Sequence, residues 1–102
     1  MSEEPKRDRQ TLERSVERVP WRVLQPEALK DIFILVSADL DLVDAAVQVV
    51  SDNAETVRSW IDENKLSKPS VDQISDWSQF PDKTFRTLIA HPYVLIQESF
   101  DH

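Results

Sequence analysis

Asp39, Asp41 and Asp44 form the densest carboxylate group in the chain. Hard cations such as Mg²⁺ or Ca²⁺ take oxygen ligands of this kind. His91 is the histidine inside the expected fold, and an imidazole exchanges protons near neutral pH. Together with Asp39 or Glu98 as an orienting carboxylate, these residues would suit a small metal-dependent or acid–base enzyme. A simpler reading competes. Carboxylates at a helix start accept its orphan amide protons and complement its dipole, stabilising by ~0.3 to 1 kcal/mol each. The spacing lacks both the ligand series and the glycine turn of a calcium loop, so capping is the leading reading. His91 then reads as a structural or surface histidine, and no metal or cofactor is expected.

Other chemistries are excluded by what the 102 residues lack. There is no cysteine, which removes thiolate nucleophiles, disulfides and sulfur-ligated zinc. There is no glycine either, where a usual frequency of about 7% would give roughly seven. Phosphate-cradling loops and nucleophile elbows need backbone that only glycine supplies, so both are out of reach. The formal charge of −7 opposes binding to nucleic acid. The longest apolar runs, Ile32 to Val36 and Val94 to Ile96, are far short of the ~20 residues that span a bilayer. The charged start of the chain gives no signal peptide, and a reducing cytoplasm suits the composition.

Arg14, Arg18 and Arg22 recur every four residues, a basic stripe if one helix carries all three. Charge is divided unevenly along the chain. Residues 1–22 hold six basic and five acidic groups, and the remainder holds six and fourteen. A basic helix face on an acidic body, with Trp21 beside it, is a candidate surface for a protein partner or a second copy. The plain alternative is a solvated face with Glu13 and Glu17 interleaved. Trp60 and Trp77 read as core residues, whereas Trp21 divides evenly between core and interface.

The elements that must position these residues follow from periodicity and turn chemistry. Residues 1–9 offer nothing to bury and read as a mobile charged tail before one domain over 10–102. Leu12, Val16, Val19 and Val23 fall at helical spacing, interrupted by Pro20. Ile32 to Val36 reads as a strand buried on both faces. Helices are predicted over about Asp41 to Val50, from Asp52 with Glu55 as a capping box to about Asn64, and from Ser70 with Gln73 as a better box to Phe80. Leu66 to Pro69 is a brief extended piece. Thr84 to Gln97 is the most β-prone segment, with Pro92 at an edge, a bulge or a break. The expected architecture is α+β: a small two-layer domain, helices packed on a short sheet, with a β-rich C-terminal segment.

Leu40-Asp41-Leu42-Val43-Asp44, Ser51-Asp52-Asn53, Val57 to Asp62 and Pro92 to Glu98 stand in an order that resembles a family of small bacterial proteins, the domain of unknown function 2288. The likeness spans roughly Trp21 to Glu98, and Asp82-Lys83-Thr84-Phe85 is similar to its cyanobacterial branch. The resemblance implies a bacterial cytosolic setting and no activity, cofactor or catalytic residue.

The functional expectation is a non-enzymatic cytoplasmic module working through protein contacts, as a homodimer along an exposed strand edge or through the first helix. The alternatives are the carboxylate and His91 enzyme, and a small apolar ligand held between sheet and helices.

Overall fold

The computed structural model describes residues 5–90 and 92–98. Helix α1 runs Pro5–Arg14, followed by strand β1, Glu17–Pro20, and a single-turn helix α2, Trp21–Leu24. A 3-10 helix, Gln25–Lys30, leads into β2, Phe33–Val36. Then come α3, Leu42–Val50, α4, Ala54–Asp62, and β3, Leu66–Ser67. Helix α5, Val71–Ser78, precedes the long strands β4, Thr84–Ala90, and β5, Tyr93–Glu98.

The five strands form one sheet in the order β1-β4-β5-β2-β3. Neighbours are antiparallel except β2 and β5, which run parallel with Phe33 opposite Val94 and Leu35 opposite Ile96. The C-terminal strands are therefore central, each paired on both sides. The edges belong to β1, which ends in Pro20, and to β3, only two residues long and followed by Lys68-Pro69. An exposed edge on the C-terminal segment, one expected route to a dimer, is not present. Pro20 and Pro69 also deny an incoming strand a backbone donor at each edge.

The α+β class is as expected, but the helices cover both faces of the sheet. Alternation along the strands makes this necessary. Leu88, Ala90 and Leu95 point to one side, where α3 supplies Leu42, Val43, Ala45 and Ala46, with Leu12 of α1 and Val57 and Trp60 of α4 around them. Phe85, Ile96 and Phe33 point to the other, where Trp21 and Leu24 of α2 and Trp77 of α5 close over them. Central strands that are apolar on both faces need cover on both, so two layers become three.

The largest departure from the sequence pattern is at the start. Residues 5–9, expected in a mobile tail, belong to α1, and the helical stripe from Leu12 to Val23 is not one helix. Ser15 ends α1, its amide and hydroxyl both returning to the last turn at 3.0 Å from the carbonyls of Leu12 and Thr11. Residues Glu17 to Pro20 then pair with β4, from Glu17 opposite Thr87 to Pro20 opposite Thr84. Long-range ladder bonds override a local helical spacing. Elsewhere the local signals hold: Ser70 and Gln73 form a reciprocal capping box, and Pro92 breaks the C-terminal segment into β4 and β5. Helix α4 is capped by Asn53, one residue later than expected. Without glycine, the left-handed positions fall to Asp31, Asp52 and Asn64, with φ of 59°, 59° and 64°.

Candidate functional site

The three aspartates sit where β2 hands over to α3, and each has a structural partner. Asp41 is the N-cap of α3, its Oδ1 accepting from the amides of Val43 at 2.8 Å and Asp44 at 3.4 Å. Asp44 accepts from the guanidinium of Arg9, which also lies 3.8 Å from Asp41 and 3.4 Å from Glu13. Asp39 accepts from the Ser37 hydroxyl and lies 3.6 Å from Lys65 Nζ. The hydrogen bond from Ser37, helped by the charge of Lys65, holds the Asp39 carboxyl below its ordinary value. The bond to Asp44 in the same way raises Arg9. Among the described residues no group of three or more acidic or histidine side chains is placed to hold a metal.

The turn before α3 is anchored from beneath. Gln97, buried in β5, donates through Nε2 to the carbonyls of Ser37 at 2.8 Å and Leu40 at 2.7 Å, while its Oε1 accepts from Arg86 at 3.2 Å. Ala90 of β4 and Tyr93 of β5, paired with each other, lie at the other end of the β4–β5 ladder from Gln97. His91, proposed as the imidazole of the enzyme reading, lies outside the described residues.

The basic stripe is dispersed. Arg14 closes α1, Arg18 is in β1, and Arg22 is in α2, where it pairs with Asp82. Arg18 stands opposite Arg86 across the β1–β4 ladder. Trp21 is fully buried, its indole N–H donating to Ser78 at 3.2 Å, so it adds nothing to an exposed surface.

What sequence reasoning did not locate is a groove between α4 and the sheet. Its volume is about 520 Å³. Val57 and Ile61 of α4 form one wall, Val49 of α3 closes the back, and Ile34, Leu66 and Tyr93 rise from three different strands. Arg58 stands on the lip, between this apolar stripe and the polar stripe of Glu55, Ser59 and Asp62. The groove exists because α4 is held lightly: no residue of the helix is fully buried, and Ile61 remains 52% exposed. The amphipathic pattern of α4 was visible in sequence. That its inner face is only partly covered depends on the short β3, which leaves the sheet too narrow to fill the space beneath.

A description by known relatives adds a family and no activity. The solution NMR structure of PA1075 from Pseudomonas aeruginosa is similar over 99% of this chain and 93% of that one, with 29% identity and a TM-score of 0.79. No curated protein matches the chain. The family model described as "Protein of unknown function (DUF2288)" matches residues 7–98, which takes in most of α1, the whole sheet and the groove. The chain belongs to this family of proteins of unknown function.

Proposed function

We propose that the protein is a non-enzymatic interaction module of the cytoplasm, and that its contact surface is the groove between α4 and the sheet. The observation that carries this reading is a helix whose apolar side is only half covered, over a concave surface lined by Val57, Ile61, Ile34 and Tyr93. Apolar surface in that form gains free energy when a partner removes it from water. The carboxylates that suggested chemistry already serve the cap of α3 and its ion pairs, which supports docking over catalysis.

Capture from the source cells with three baits tests the proposal: the native chain, Ile61→Glu in the groove, and Val71→Glu on α5. Val71 is 82% exposed, on a helix that packs through Ile74 and Trp77 against the opposite face of the sheet, so it controls for adding a carboxylate. The expected result is a partner held by the native chain and Val71→Glu and lost with Ile61→Glu. The same proteins recovered with all three baits would refute it.

A further inference from the structure

We infer that the groove is the interface of a two-fold homodimer, covered by α4 of a second copy of the chain. This rests on reading the groove as a protein-contact surface and names its occupant. Arg58 lies three residues after Glu55 and four before Asp62, yet none of the three makes an ion pair within 4.0 Å among the described residues. Helix α4 therefore presents unpaired charges of both signs beside an apolar stripe. A surface that carries both signs is complementary to itself under a two-fold axis. With two α4 helices antiparallel and the axis beside Trp60, Arg58 of each copy comes opposite Asp62 of the other. Ile61, one position from that axis, comes level with Ser59 of the other copy, with its own counterpart diagonally across the axis.

The apolar surface agrees. Ile61 is 52% exposed and Tyr93 41%, and both line the groove, so a second α4 would cover the two large side chains this region leaves to water. The sheet edges are poor rivals. Pro20 ends β1, and β3 has two residues before Lys68-Pro69, so strand addition could form few bonds at either place. The groove is the surface where shape, apolar exposure and self-complementary charge coincide.

Sedimentation equilibrium of the full chain, from micromolar to near-millimolar concentration, tests this, with circular dichroism confirming that each variant is folded. A dimer is expected. Arg58→Asp alone and Asp62→Arg alone should each weaken it about tenfold, and the double exchange, which keeps the net charge, should restore it. Ile61→Asp should leave a monomer, and if that variant unfolds the charge exchange still decides. A monomer at every concentration, or a dimer indifferent to the charge variants, overturns the inference. The capture experiment separates the two failures. A monomer that loses a partner with Ile61→Glu overturns only the second copy as occupant, and a monomer that loses nothing overturns the contact surface as well.

Discussion

Trp21 and Trp77 meet edge to face beneath the sheet, ring centroids 5.1 Å apart, and Phe85 stands 5.7 Å from the first and 4.8 Å from the second. Edge-to-face geometry sets the positive rim of one ring against the negative face of the next. This cluster fixes α2 and α5 to the sheet. Trp21→Ala should therefore lower stability by about 3 to 5 kcal/mol, a cavity effect compounded by the lost bond to Ser78. Urea denaturation followed by far-ultraviolet dichroism measures it. A loss under about 1 kcal/mol would mean that the ring is not part of the core.

Gln97 carries a second, polar core. Gln97→Leu keeps the size of the side chain but takes from the Leu40 carbonyl its side-chain donor, while the Ser37 carbonyl keeps the Leu40 amide at 3.1 Å. A buried group deprived of its partner costs about 1 to 3 kcal/mol, and a loss in that range is expected. Hydrogen exchange should locate it, with faster exchange at the first turn of α3 and little change in α5. Uniform loss across the chain would contradict the assigned role.

Asp41 separates capping from metal binding. Asp41→Ala should lose about 1 kcal/mol, and Asp41→Asn, which still presents an acceptor, much less. Millimolar Mg²⁺ or Ca²⁺ should leave the melting temperature of the native chain unchanged. A cation-dependent rise that disappears in Asp41→Asn would establish a metal site here.

The pH dependence of the Ser37–Asp39 contact has a definite sign. Folding lowers the Asp39 pKa from its ordinary value of 3.8. The contact thus contributes stability above that value, and the contribution is lost as pH falls through the lower folded value. Ser37→Ala removes the principal cause and should move the Asp39 carboxyl back toward 3.8 in an NMR titration of side-chain carboxyl shifts. No movement would assign the shift to Lys65 instead.

Legibility from sequence followed the range of the interaction. The Ser70–Gln73 box, the Asp41 cap, the helix stop near Asn64 and the break at Pro92 are decided within a few residues, and all were readable. The stretch from Leu12 to Val23 was not, because its strand state is set by Phe85 and Thr87, more than sixty positions away. Trp21 was ambiguous for the same reason: its pocket is built from Phe33, Trp77 and Phe85. The carboxylate turn could be read as a cap, but its partners Arg9 and Lys65 come from other elements. The groove lay beyond any local pattern, since Ile34, Val57 and Tyr93 meet only in the finished fold.

The parallel pairing of β2 with β5 has a consequence for how the chain comes into being. Phe33 finds its neighbour at Val94, so the middle of the sheet closes across a loop of some sixty residues that contains three helices. Such closure is entropically slow. During synthesis, β2 emerges long before either neighbour and waits with Ile34 and Leu35 uncovered until the final strand arrives. The nascent polypeptide is then at its most adhesive, and the ribosome or a chaperone is its natural company until β5 docks.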